Sequence, residues 1–258
     1  HKVGLIAHAR IKTDKIDAFV LAKLLRADFI PEVQLPSDYA WQLRQLSYHR
    51  RFLVKQRTAN KNSIRALLNK NLIVCPYSTP FTIKGRHWLR TLKLSEVEIL
   101  IMDNALSMLE AVEKSIKQVD LKVIDLGKKD HQIQLLLSIP GVDLTCALGL
   151  IAAIDDIGKF ESPEKLASYF GLVPTVSQSG NTCHHGRITK AGSKNARWLL
   201  VEAAQAMALG SCPLAGTYHR VKVRKGHNKA IVALARKIAV VVWHILKKGQ
   251  PYRYAPSA

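Results

Sequence analysis

Apolar positions recur at helical spacing along most of the chain. Over 11–27, IKTDKIDAFVLAKLLRA, the residues Ile16, Val20, Leu24 and Ala27 share one stripe with Phe19 beside it. Thr13 predicts the N-cap and Asp14 the first turn. The run ADFIP ends this helix, and Pro31 and Pro36 frame a short extended stretch. A second helix is predicted from 37–38 towards 70. Its Leu43, Leu46, Leu53, Ile64 and Leu67 fall on a heptad seam that Arg50, Arg57 and Asn60 interrupt. Residues 71–94 contain prolines and turn formers and read as a connection. Ser95 and Glu98 then form a capping box. Met102, Ala105, Leu109, Val112, Ile116, Val119, Val123 and Leu126 follow at steps of three and four. That sustained heptad predicts a coiled-coil helix over 95–126. It pairs with 37–70 as an antiparallel hairpin, with a second chain, or with both.

The pattern changes after Gln132. An apolar helix end, the turn Ile139-Pro140-Gly141-Val142 and a second apolar helix make a helix-hairpin-helix layout. Two readings fit it equally: Gly141 offers a backbone N–H to a nucleic-acid phosphate, or the turn joins two core helices. Ser162-Pro163 predicts another helix start. Residues 171–194, GLVPTVSQSGNTCHHGRITKAGSK, read as a glycine-rich loop without an acid. Ser193 predicts an N-cap, and Ala196, Leu199, Leu200, Ala203 and Met207 form the stripe of the next helix, up to Gly210. HRVKVRKGH, 219–227, reads as a basic loop, and an apolar helix over 228–248 belongs in the core. The fold class is mainly α.

Composition narrows what such a fold does. The chain has 258 residues, 48% of them hydrophobic, which is enough for two cored domains and excludes general disorder. The formal net charge is +20, the signature of a polyanion partner. No run of apolar residues is long enough to span a membrane, and no signal peptide is expected. Four cysteines without CxxC spacing fit a reducing, cytoplasmic setting. Cys183-His184-His185 is not a zinc site, because adjacent residues ligate one tetrahedral ion poorly and no partner pair stands at finger spacing.

Charge is unevenly placed. Residues 39–94 hold twelve Lys/Arg and no acid, 181–258 hold fourteen and one acid, and 95–180 hold seven bases and thirteen acids. This predicts two nucleic-acid-facing surfaces and an acidic spacer. The lack of acids favours a phosphate-facing second helix, with Arg44, Arg51 and Lys55 on its faces. In the glycine-rich stretch, Arg187, Lys190 and Lys194 face an anion, and Lys194 with Arg197 stands placed to clamp a phosphate. Ser179-Gly180 reads either as a turn-forming serine or as a hydroxyl presented to that phosphate. Asp14 and Asp17, three apart on one helical face, read either as capping and first-turn acids or as part of a magnesium site.

Two segments carry a resemblance to a known family. Lys12-Thr13-Asp14-Lys15-Ile16-Asp17-Ala18, with Leu21-Ala22 and Ile30-Pro31, resembles the end of the nuclease domain of the Piv-type DEDD transposases of the insertion-sequence-one-ten family. Ile139-Pro140-Gly141-Val142, Phe170-Gly171-Leu172-Val173-Pro174, Ser179-Gly180 and Gly186-Arg187-Ile188-Thr189-Lys190-Ala191-Gly192, with the helix at 199–204, resemble that family's second domain. The resemblance implies a RuvC-type, ribonuclease-H-like first domain that holds Mg2+ with four acids. Asp14 and Asp17 match the last two. It also implies that Ser179 attacks DNA, with Ser177 ranked lower because no glycine follows it. Implied partners are DNA (element ends and target), a structured guide RNA and further copies of the chain, as a dimer or tetramer.

The expected organisation is a nuclease-domain remnant at 1–36, the basic helix and coiled-coil hairpin at 37–130, and a helical domain with the serine loop at 131–258. The chain opens at His1 without methionine, so an N-terminally truncated fragment is expected, weak or inactive alone because two of the four acids are missing. The expected setting is the nucleoid of a bacterium or archaeon. Two rival functions remain: a non-catalytic DNA- or RNA-binding helix-hairpin-helix protein, and a RuvC-like junction nuclease without the serine step.

Overall fold

A computed structural model describes residues 13–29, 35–179 and 182–253. It divides into two compact units, His1–Ser37 and Asp38–Ala258. In the first, helix α1 spans Asp14–Arg26. Thr13 caps it, its side chain accepting from the Ile16 N–H at 3.3 Å. Asp28 in a left-handed conformation, φ 56°, ends it. Ile30 and Pro31 lie outside the described residues.

The second unit is mainly helical. Helix α2 (Asp38–Lys70) and helix α4 (Glu96–Lys129) pack against each other, joined through the short helix α3 (Ile83–Leu89). Arg50 meets Asp120, Lys61 meets Glu113 and Lys70 meets Glu98, so the two long helices run antiparallel within one chain. The Ser95–Glu98 capping box forms as read from the sequence. The helix runs to Lys129, where Asp130 caps the following turn. Helix α3 corrects the reading of 71–94 as plain connection. Thr82 caps it, and Leu89 joins Ile64, Leu67, Leu68, Met102, Ala105, Leu106 and Leu109 in a core at the far end of the helix pair.

The larger core is built around helix α6 (Leu144–Ile154). Every residue of it from Cys146 to Ile154 is buried, as a helix apolar all round must be. Helix α5 (His131–Leu136), helix α7 (Pro163–Tyr169), helix α8 (Lys194–Ala208) and helix α10 (His227–Lys248) complete this core, with Leu43 of α2 and Val123 of α4. Burial pushes the Cys146 thiol up from its usual pKa, so it is an inert core side chain.

Two further segments differ from expectation. Residues 215–225 form helix α9 (Ala215–Lys225), where a basic loop was expected. Lys and Arg are good helix formers, and Ala215 and Tyr218 suffice to anchor it. The glycine-rich stretch is a β-hairpin: β1 (Pro174–Ser179) pairs antiparallel with β2 (Thr182–Ile188). Ser179 pairs with Thr182, leaving Gly180 and Asn181 between them. Both of these lie outside the described residues. No helix among the described residues is long and apolar enough to cross a membrane.

Candidate nucleic-acid interface

The hairpin leaves the core from a rigid root. Gly171 (φ +68°) and Gly192 (φ +67°) both occupy left-handed conformations. A Cβ on Gly171 would run into the backbone of Ala191, and one on Gly192 into the Tyr169 carbonyl oxygen. The two chain segments therefore cross in direct backbone contact. The Lys190 N–H donates to the Gly171 carbonyl at 3.1 Å and the Thr189 N–H to Val173 at 2.9 Å. Arg197 closes the root by donating from Nη1 to the carbonyls of Phe170 at 2.9 Å and Ala191 at 2.8 Å. Burial lowers its guanidinium pKa from the ordinary value.

Beyond the root the strands are exposed. Ser179 stands exposed at the end of β1, opposite Thr182. Ser177 pairs with His184, and alternation along paired strands puts these four residues on one face. His184 therefore shares the face of Ser179, which the sequence reading missed. The turn pair Gly180-Asn181, between segments that hold Thr175, Val176 and Thr182, was the available hairpin signal. Arg187 lies beyond a register shift, nearer the root, and is exposed, as are Lys190 and Lys194.

The expected phosphate-facing cations of α2 separate into three kinds. Arg44 is engaged internally: Nε donates to the Ala152 carbonyl at 2.6 Å and Nη2 to Ala153 at 3.2 Å, satisfying the C-terminal end of α6. Arg50, Lys61 and Lys70 pair with acids of α4. From α3, Arg86 pairs with Glu113 at 2.6 Å, and the following Arg90 pairs with Glu110 at 3.0 Å. Helix α4 thus acts as the electrostatic partner of the basic segment, where the sequence reading made it a spacer. Lys55 is exposed and Arg51 half-buried, and these two line a groove together. The salt bridges of Lys122, Lys129 and Lys159 likewise use basic residues of the first two thirds of the chain, while in the C-terminal third Arg236 lies near enough to Glu164 to help lower its carboxyl pKa.

Gly141 (φ +82°) sits where a Cβ would meet the Ala203 carbonyl oxygen at 2.6 Å and the Met207 nitrogen at 3.0 Å. The glycine allows the close approach of the α5–α6 turn to α8, while Gly141 itself stays exposed.

Asp14 and Asp17 lie in the first turn of α1, with the Asp17 N–H donating to the Thr13 carbonyl at 2.9 Å. Two carboxylates on one helical turn supply one side of the octahedral oxygen shell that magnesium requires. Among the described residues no group of three or more His, Cys, Asp or Glu is placed to hold a metal. Among the described residues, the pair Asp14 and Asp17 does not by itself fit a magnesium centre.

A connection between α2 and α8 was invisible in the sequence. Asn195 Nδ2 donates to Ser47 Oγ at 2.8 Å, and Arg51 Nη1 donates to Asn195 Oδ1 at 3.2 Å. The same guanidinium stacks over the Trp198 ring, 4.9 Å from its centroid. Polar residues at positions 47 and 195 carry no sequence signal of such pairing, because they are 148 positions apart.

Comparison with known proteins places these features. Residues 133–220 match the family described as Transposase IS116/IS110/IS902. Residues 4–72 match a transposase family of the DEDD IS110 type. The transposase for insertion sequence element IS1111A of Coxiella burnetii is 29% identical, covering 94% of this chain and 68% of that protein. The pilin gene-inverting protein of Moraxella bovis is 27% identical, covering 98% of this chain and 74% of that protein. The Sinorhizobium fredii protein y4qE, which carries a transposase description, is 29% identical over 76% of this chain, which spans about half (48%) of that protein's length.

Proposed function

The chain belongs to the IS116/IS110/IS902 transposase family, and on that premise we propose that it acts in DNA strand exchange at an insertion sequence, with Ser179 as nucleophile. The observation that carries this reading is the placement of Ser179: exposed, at the end of a strand, on a hairpin fixed at its root by two glycines and Arg197. In the proposed step the Ser179 oxygen bonds to a DNA phosphorus, the bond from that phosphorus to a deoxyribose oxygen breaks, and the proton lost by the serine hydroxyl ends on the leaving oxygen. Arg187, Lys190 and Lys194 hold the neighbouring phosphates as point charges and bidentate donors. Arg197 acts through the root, since its Nη1 is engaged by two carbonyls.

The pilin gene-inverting relatives carry inversion in their name, and inversion and transposition both require breaking and rejoining DNA. In this reading α1 is the last helix of the RuvC-like domain, and Asp14 and Asp17 complete a magnesium site only with carboxylates from elsewhere. A structured guide RNA and a dimeric or tetrameric assembly belong to the same proposal, which concerns the whole protein.

The test is a trap for the covalent intermediate. Full-length protein, element-end DNA, target DNA and guide RNA are combined, quenched in denaturant and examined for a DNA–protein adduct. The adduct is expected at Ser179 and absent in Ser179→Ala. Recombination that survives in Ser179→Ala would overturn the serine step and favour either the nuclease or the non-catalytic reading.

A further inference from the structure

Helix α2 presents Arg51, Lys55, Thr58 and Asn62 at successive one-turn spacings, and Val54 and Ala59 beside them. Together with Trp198 of α8 they line an open groove. Its floor is apolar and its rim is basic and hydrogen-bonding, with no acid among its lining residues. Trp198 forms one wall and remains 37% exposed. Arg51 stacks on one face of the indole, and Trp198 still lines the groove.

The support beneath this wall is specific. The only two buried polar residues among those described are Ser47 and Asn195. They bond to each other, and Asn195 then accepts from Arg51, whose guanidinium stacks on the indole. Buried polar groups cost free energy unless satisfied, and a satisfied network fixes geometry. Here that fixing acts on the one arginine that braces the exposed tryptophan. Lys55, one turn further along α2, is exposed at the rim.

We propose that this groove holds an unpaired nucleotide, its base stacked on Trp198 and its phosphate neutralised by Lys55 with Arg51. Stacking on an aromatic face is tolerant of base identity and requires a base free of its duplex partner. Asn62 supplies donors and an acceptor to the base edge, and Thr58, whose hydroxyl donates to the Val54 carbonyl at 3.0 Å, supplies an acceptor. The site deepens the strand-exchange reading, since broken and rejoined strands pass through unpaired states. It rests on that reading only for the claim that the ligand is nucleic acid.

The experiment is equilibrium binding of the full chain to oligothymidylate, to oligouridylate and to a duplex of matched length, in the wild type, Trp198→Leu, Trp198→Phe and Lys55→Ala. Trp198→Leu is expected to weaken binding of the single strands about 5- to 150-fold, the range that loss of one stacked base produces. Duplex binding is expected to change less than about twofold, because it draws on phosphate contacts. Trp198→Phe restores part of the loss, and an unchanged thermal midpoint for Trp198→Phe shows that the effect is on the ligand. Lys55→Ala weakens the single-strand complexes with no change in stability. The thymidylate and uridylate arms tell whether the unpaired strand is DNA or RNA, and preference for either supports the site. Equal losses on single strand and duplex, or none on either, would overturn it while leaving the transposase reading intact. A wild-type chain that binds neither form of nucleic acid would instead remove the strand-exchange reading itself.

Discussion

Asn195 and Ser47 meet at 2.8 Å inside the unit, both nearly sealed from solvent at 4% and 5% exposure. The bond ties the start of α8 to the first third of α2 and leaves Asn195 Oδ1 to accept from Arg51. Asn195→Ala strands the Ser47 hydroxyl and frees Arg51. The expected cost is about 1–3 kcal/mol, that of a buried polar group left unpaired. Urea unfolding measures it, and Ser47→Ala added to Asn195→Ala should cost less than the sum of the single changes.

The hairpin root makes a second prediction. Gly192→Ala forces a left-handed residue and a clash with the Tyr169 carbonyl. Destabilisation of more than about 1 kcal/mol is expected, together with loss of the serine adduct although Ser179 is untouched. Gly216→Ala is the control. Nothing lies within 4 Å of its added methyl, and alanine in α9 should stabilise by up to about 1 kcal/mol.

Arg44 and Lys55 lie on the same basic helix and should respond oppositely. Arg44→Met removes the donors at the end of α6. It should destabilise by about 1.5–3 kcal/mol, the scale for hydrogen bonds to a charged group, with little effect on nucleic-acid affinity per folded molecule. Lys55→Ala should leave the unfolding midpoint alone and weaken binding. Parallel unfolding and binding titrations of the two variants check this.

Glu98 sets an acid limit on the far end of the helix pair. Asn71 first, then the hydroxyl and N–H of Ser95, and Lys70, donate to its carboxylate and hold its pKa down to about 2 from 4.5. The folded state thus binds this proton more weakly than the unfolded chain. Its contribution is present above about pH 4.5 and is lost as the pH falls towards about 2. In Glu98→Gln the capping geometry remains but this part of the acid dependence should vanish. Thermal midpoints across that window in the two proteins decide the matter.

Glu113 gathers Arg86 at 2.6 Å and Lys61 at 3.7 Å. Glu113→Gln should cost about 1 kcal/mol, from loss of partly covered ion pairs. The difference from wild type should shrink in high salt, where such pairs are screened. Unfolding at low and high ionic strength measures both.

Much of this architecture was readable from the residues because local rules govern it. Thr13, Ser95, Ser162 and Ser193 each announce a helix start, and each accepts the hydrogen bond expected of an N-cap. What escaped depends on partners distant in sequence. The hairpin is hidden in the sequence because four glycines between 171 and 192 signal a loop more strongly than Thr175, Val176 and Thr182 signal strands. The segment 219–227 was read as loop because lysines and arginines hide a helix held by few apolar contacts. The role of Arg44 depends on carbonyls 108 and 109 positions away. The placement of Ser179 was legible only as a motif, since its exposure comes from strand pairing and a backbone crossing that no local pattern encodes.

The pairing of α2 with the acids of α4 has a thermodynamic consequence for any polyanion that binds. Salt dependence of such binding counts the counterions released when free cations meet phosphates. A lysine or arginine already paired with Asp120, Glu113, Glu110 or Glu98 is not free to neutralise a phosphate, and so displaces none of the counterions condensed on the nucleic acid. The number of ions released per bound chain should therefore fall well below what a net charge of +20 invites, and most of them should come from the C-terminal third.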